Sequence, residues 1–309
     1  MQGKISLPRW TGNSATFDRG FFPIPLTNSP ISIITSSQRP YRSGRNSIFI
    51  NLQGEWNLRI CSSSTELEEL VMAEESARSK INYAECSETL KKYLGLHGSP
   101  VALMLATKKE LIPEGVKQIE GKHRHCGMVS IARREGKIFY ATADNHECMG
   151  GAWALGLREI TESLKSGQFY FKLGKFESWA ACKRTIDRVH HLDTKETYAT
   201  LYAPLETTPF APHVVLIVGN PRSMLKLAQS SLFRLGGRIY PEFSGIQSVC
   251  SDAAAQTYLS GKPNFSLGCD GSRKFSGIAD DEMVMGMPGE LLPEITYAIR
   301  IVTGAPGSV

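Results

Sequence analysis

The sequence predicts an α/β protein, with a mixed α+β arrangement as its variant, made of two similar strand-helix-strand-helix halves related by a pseudo-two-fold repeat. Three observations lead there. Two apolar runs of strand length, "PVALMLA" (100 to 106) and "HVVLIVGNP" (213 to 221), are each followed by a helix-length stretch that closes on glycine. After those glycines the two stretches read alike: Arg133, Gly136, Lys137, Ile138 and Phe139 match Arg234, Gly237, Arg238, Ile239 and Tyr240 at an offset of 101. Cys148 then matches Cys250 with one residue inserted, so self-similarity at a fixed spacing extends to a chemically distinctive residue.

Each element has its own local reason. "VMAEESARSKINYAECSETLKKYLGL" opens acidic and spaces Tyr83, Leu90, Tyr93 and Leu94 along one face, which predicts the first helix. "KIFYATA" and "RIYPEF" are short and aromatic-rich and predict the second strand of each half. The segment "KRTIDRVHHLDTKETYATLYAPLETTPFAPH" links the halves and offers edge strands such as "YATLYAPL". The folded body is expected to span 72–309, with halves of about 72–190 and 191–309. Residues 1–71 are rich in Ser, Thr, Pro and Arg with only short strand-like pieces such as "SIFINL", and are expected to be a disordered or mis-annotated leader before a start at Met72.

Composition excludes several function classes. With 41% hydrophobic and 21% charged residues, the chain has the balance of an ordinary globular protein. No apolar run reaches the roughly 18 residues of a membrane span, and the amino terminus lacks a secretory apolar core, so a cytoplasmic protein is expected. The net charge of +5 resides entirely in residues 1–60, which hold seven basic and two acidic residues, while the remainder has 28 of each. An electroneutral body gives no phosphate-neutralising surface, and nucleic acid is not expected as a partner.

Seven cysteines, an odd number without a secretory signal, argue against a disulfide framework. Cys61, Cys86 and Cys182 read as leader or helix residues, the latter two buried. The other four, Cys126, Cys148, Cys250 and Cys269, stand beside glycine or at a turn in "HRHCGMV", "HECMGGA", "SVCSDAAA" and "SLGCDGSR". No Cys-x-x-Cys spacing joins them, so any site they form is assembled by tertiary structure. Cys148 and Cys250 are expected at helix amino termini, where unpaired N–H groups favour thiolate, the form that binds soft metals. Four such sulfurs suit a [4Fe–4S] cluster, or a tetrahedral zinc as the alternative.

His123, His125 and His146 lie near two of these cysteines, and a surface histidine bonded to a carbonyl is the bland reading of each. Arg124, Arg273 and Lys274 add positive charge near the cysteine segments. Gly219 and Asn220 follow a strand, where open sheets often bind ligands, although Asn220 also reads as a helix cap before Pro221. Walker, G-x-G-x-x-G, H-E-x-x-H and G-x-S-x-G signatures are absent.

The stretches "LGLHGSPVAL", "HRHCGMVSIARREGKIFYATADNHECMGGAWALGL", "VVLIVGNPRSMLKLAQSSLFRLGGRI", "CSDAAAQTYLSGKPNFSLGCDGSRKF" and "DDEMVMGMPGELLPEI" resemble, in this order, the domain of unknown function 169 family of archaea and bacteria. The resemblance runs from about residue 86 to 300. It implies that Cys126, Cys148, Cys250 and Cys269 fall within the family's characteristic motifs, and it assigns no activity. The sequence therefore predicts a redox or metal-handling protein whose four cysteines hold an iron–sulfur cluster, served by a redox partner. The alternatives are a module that binds a small anionic ligand through Gly219, Asn220 and Arg273, or a structural zinc protein. Whether the chain is an enzyme, and its oligomeric state, stay open.

Overall fold

A computed structural model of the chain describes residues 81–304 and, ahead of them, three short strands, β1 (Ser32–Ile33), β2 (Ser47–Phe49) and β3 (Arg59–Cys61), paired in the order β1-β2-β3. Apart from those strands, the expected leader and the expected start at Met72 lie outside the described residues.

Three six-residue strands, buried at every position, form the centre of the body: β4 (Val101–Ala106), β6 (Ala199–Pro204) and β7 (Val214–Gly219). Together with β5 (Phe139–Thr142), β8 (Asn264–Ser266) and β9 (Met283–Pro288) they make one six-stranded sheet in the order β5-β6-β4-β7-β9-β8. Every neighbouring pair is antiparallel. The continuous apolar runs at β4 and β7 follow from burial on both faces. "YATLYAPL" is not at an edge: β6 lies between β5 and β4, paired with β4 over six residues.

Among the described residues ten α-helices cover the sheet. On one face α1 (Tyr83–Leu94), α7 (Pro221–Leu232) and α10 (Leu292–Gly304) press Leu90, Leu94, Leu227, Ile295 and Ile299 onto Met104, Leu201, Ile217 and Met285. Asn82 caps α1, accepting from the Glu85 N–H, and Gly95 closes it at φ 63°. On the other face lie α2 (His125–Glu135), α3 (Met149–Ala154), a π-helix (Ser248–Ala255) with α8 (Gln256–Ser260), and α9 (Asp270–Ser276). Their Met128, Val129, Leu155, Val249 and Ala253 pack on Leu103, Tyr202, Leu216 and Val284. An excursion of α4 (Glu162–Lys165), α5 (Gln168–Lys172) and α6 (Trp179–Ile186) returns to this layer, packing Ile186 and Tyr170 against Trp153 and Ile246. Among the described residues no helix is long and apolar enough to cross a membrane.

The fold is thus a mixed α and β layering on an antiparallel sheet, and the repeat does not appear in the predicted form. "KIFYATA" supplies β5, but "RIYPEF" forms no strand, and Tyr240 is exposed. The strand order does read the same from either end when β4, β5 and β6 are exchanged with β7, β8 and β9. In that correspondence Cys148 pairs with Cys269, each preceding the short helix after a second strand, and Cys126 pairs with Cys250, each in a helix between first and second strands.

Candidate functional site

Two sheet hydroxyls and a short backbone ladder begin the construction of the site. Tyr202 and Thr200, both fully buried on β6, turn their hydroxyls to His125 Nδ1 at 2.8 Å and His146 Nε2 at 3.0 Å. Burial holds both imidazoles well below their usual range, down to about 3, so both are neutral near pH 7. They are therefore structural anchors, unlike the surface histidine expected; His123, bonded to the Glu120 carbonyl at 2.9 Å, fits that expectation. The ladder His123 N–H to Asn145 O (2.7 Å) and Glu147 N–H to His123 O (2.9 Å) clamps the two segments together, and with them Cys126 and Cys148.

Cys148 is the N-cap of α3, its Sγ accepting from the Gly151 N–H at 3.4 Å, as the sequence predicts. Cys250 is the third residue of the π-helix, in its first turn but not at the cap, which is Gln247. Burial, then the neighbouring Cys148, Cys269 and Cys126, and last Asp252, push its thiol well above the usual cysteine range. Cys269 is the N-cap of α9, tied by the Ser272 hydroxyl, which accepts from the Cys269 N–H (2.9 Å) and donates to its carbonyl (2.8 Å). Cys126 is raised by burial, offset by the Ser276 hydroxyl.

All four cysteines line one cavity of about 700 Å³. Its wall is mostly apolar, with Phe169, Tyr170 and Leu173 from the excursion facing Phe275 of α9. Cations sit at its edge: Arg124 stacks on Phe275 at 3.6 Å and approaches Glu147 at 3.6 Å, while Lys175 pairs with Asp270. The other described cysteines are elsewhere, Cys86 beside Thr296 and Cys182 donating to the Gly167 carbonyl at 2.8 Å, and all six are free thiols. Among the described residues no three His, Cys, Asp or Glu side chains are grouped as ligands of one metal ion.

Gly219, Asn220 and Arg273 are not brought to this cavity. Asn220 caps α7, accepting from the Ser223 N–H at 2.9 Å, and Gly219 faces Ser223 and Leu96. The Arg273 guanidinium donates to the carbonyls of Leu267, Ala279 and Glu282, which ties the chain around α9. Two site residues lie outside the sequence expectations, Gln247 and Ser248. Both are buried in the cavity wall, the Gln247 amide beside the Tyr170 hydroxyl with which it hydrogen-bonds. Gln247 also carries a left-handed backbone, φ 52°, uncommon for a side chain of its size. Gly245, two residues earlier, signals a turn, but nothing in the sequence marks Gln247 as a wall residue.

The family model for uncharacterised ArCR proteins, the domain of unknown function 169, matches residues 89–298. The uncharacterized protein MJ0308 of Methanocaldococcus jannaschii is 44% identical over 217 residues, covering 70% of this chain and 93% of that protein. No solved structure matches. All four cavity cysteines fall inside the matched span, and the chain belongs to the domain of unknown function 169 family.

Proposed function

We propose that the chain is a redox or metal-handling protein in which Cys126, Cys148, Cys250 and Cys269 ligate a [4Fe–4S] cluster. One observation carries this reading: four cysteines from four separate segments, two from each strand triplet, line a single cavity, while Cys86 and Cys182 are buried elsewhere. Four free thiols in an apolar enclosure match the donor set of such clusters. A single zinc ion fits less well. Its thiolates must converge within about 2.3 Å of one centre, whereas in a cluster each thiolate binds its own iron.

When bound, a cluster would supply one-electron chemistry. The chain's own residues hold the sulfurs and surround them with apolar side chains. The Gly151 N–H donates to Cys148, the Ser272 hydroxyl fixes the Cys269 backbone, and Phe169, Leu173 and Phe275 line the cavity with apolar surface. Crowding four sulfurs in one enclosure disfavours four bare thiolates, and positively charged iron removes that penalty. Free thiols at all six described cysteines suit the reducing cytoplasm, and a redox partner would exchange the electron.

The test is iron and acid-labile sulfide content with visible absorption on protein purified without oxygen. About four of each per chain are expected for a cluster of this type, lost in a Cys148→Ser/Cys250→Ser variant and kept in Cys86→Ala and Cys182→Ala. Colourless, iron-free protein overturns the proposal.

A further inference from the structure

We propose that the cavity also binds an amphipathic monocarboxylate, its carboxylate held at the mouth by Arg124 and Lys274 and its apolar body lying along Phe169, Leu173 and Phe275. This goes beyond the cluster reading, since it rests on the part of the wall that carries no sulfur. The cavity has an inner end and a mouth. Cys250, 8% exposed, lies at the inner end, and its thiol is pushed up first by burial and then by Cys148, Cys269 and Cys126, so the sulfurs gather there. Leu173, Phe275 and Phe169 line the same cavity yet are 55%, 51% and 45% exposed, which puts them at the opening. The volume of about 700 Å³ falls in the range of small-molecule sites, about 300 to 1,000 Å³, which are mostly apolar with a few polar groups fixing orientation.

The polar groups at the mouth are cations within reach of solvent. The Arg124 side chain keeps 29% of its surface exposed, and Lys274 is exposed. Both line the cavity and stand over one ring, Arg124 at 3.6 Å and Lys274 at 5.2 Å from the Phe275 centroid. The ring attracts each cation through its negative face but carries no net charge to neutralise them. Glu147 meets only the Arg124 Nε, at 3.6 Å, which is beyond hydrogen-bond length. Among the described residues neither the Arg124 terminal nitrogens nor Lys274 Nζ has a hydrogen-bond or carboxylate partner. Lys175, the third cation of the lining, is by contrast paired with Asp270.

Arg124, Lys274 and Glu147 together leave one positive charge unanswered, which one carboxylate balances and a dianion would exceed. A guanidinium stacked on a ring keeps its N–H edge free, and that edge meets a carboxylate with two parallel hydrogen bonds. A purely polar anion would leave Phe169, Leu173 and Phe275 in water and forgo the gain of covering them. A neutral apolar molecule would cover the rings and leave both cations unpaired.

Phenylbutyrate, its neutral isostere phenylbutanamide and the cation phenylbutylamine form a matched set of probes, with acetate and inorganic phosphate as anions that lack the apolar body. Each is titrated by ligand-observed NMR into full-length protein purified without oxygen, with the visible spectrum recorded on the same samples. Phenylbutyrate is expected to bind tightest, at least about ten-fold tighter than the amide, near the lower worth of a charge-assisted hydrogen bond. An Arg124→Gln/Lys274→Gln double variant is expected to lose that preference, and Leu173→Asn to weaken the acid and the amide alike. Lys183→Gln, at a cation paired with Asp187 outside the cavity, is expected to change neither. Equal binding of acid and amide, tighter amine, acetate or phosphate binding as tightly, no phenylbutyrate binding, or a preference unchanged in the folded double variant each overturns the proposal. Colourless protein that prefers phenylbutyrate sinks the cluster reading alone. Coloured protein without the preference sinks this one alone.

Discussion

Gly286→Ala is predicted to unseat the π-helix from the sheet. Gly286 sits in the middle of β9, paired with Leu216 on one side and Asn264 on the other, so its backbone is fixed by two ladders. A Cβ on it would fall inside the van der Waals envelope of the Ala253 carbonyl oxygen and 2.7 Å from the carbonyl carbon, with the Thr257 hydroxyl also in the way. Backbone cannot rotate aside as a side chain does, so the helix carrying Cys250 and Asp252 must lift. Overpacking of a tight interior costs about 1 to 3 kcal/mol, and contact with backbone places this substitution at the upper end. For a body of this size a loss of about 3 kcal/mol lowers Tm by roughly 6 to 12 °C. Differential scanning calorimetry of the wild type and variant measures it directly, and iron content on the same samples reports whether Cys250 has moved. A Tm within about 1 °C of wild type would falsify the argument that the helix rests on this glycine.

Tyr202→Phe removes the partner of His125 Nδ1 in a fully buried setting and is expected to cost about 1 to 3 kcal/mol in urea unfolding; an unchanged midpoint would mean that His125 is held by packing alone. Glu206 ties the turn after β6 to α1, accepting from Ser87 (2.8 Å), Ser99 (2.5 Å) and Lys91. Burial raises its carboxyl, but these donors prevail and hold it below the usual value. A depressed folded pKa means stability present above the unfolded value of about 4.3 and lost as pH falls through the folded one. Glu206→Gln is accordingly expected to flatten the acid limb of the stability curve below about pH 4.5; an identical slope in both proteins would remove Glu206 as its source.

How much of this was readable in the sequence depended on where polar atoms ended up. β4 and β7 are legible because both faces are covered and no polar side chain interrupts them. β6 is equally buried yet reads as an edge strand, because Thr200 and Tyr202 carry hydroxyls. Only the fold reveals that His146 and His125 satisfy them. The same asymmetry governs the site. A cysteine beside a glycine at a predicted turn is visible, and Cys126, Cys148, Cys250 and Cys269 all reach the cavity. Arg273 looks equally available until the carbonyls of Leu267, Ala279 and Glu282 surround it. Gln247 has no local signature, because its place in the cavity wall beside Tyr170 is a property of the fold and not of its neighbours in sequence.

The placement of the cysteines bears on the weakest join in the sheet. β4 and β7 share only three paired positions, Val101–Leu216, Ala102–Val215 and Leu103–Val214, against six for β4 with β6 and six for β7 with β9. The loop before β7 extends the seam slightly, since the His213 N–H donates to the Leu103 carbonyl and the Leu105 N–H donates to His213 Nδ1. Cys126 and Cys148 belong to the strand triplet on one side of that seam, Cys250 and Cys269 to the triplet on the other. Anything bound by all four sulfurs therefore ties the triplets together above a short ladder, and by linkage a ligand bound only in the folded state stabilises that state. If the proposed cluster is bound, removing it by chelation is expected to speed amide exchange at Leu103, Leu105 and Leu216 along the seam more than at Tyr202 or Met285 within the triplets. Uniform acceleration across all strands would show that the cavity steadies the fold as a whole and not the join between its halves.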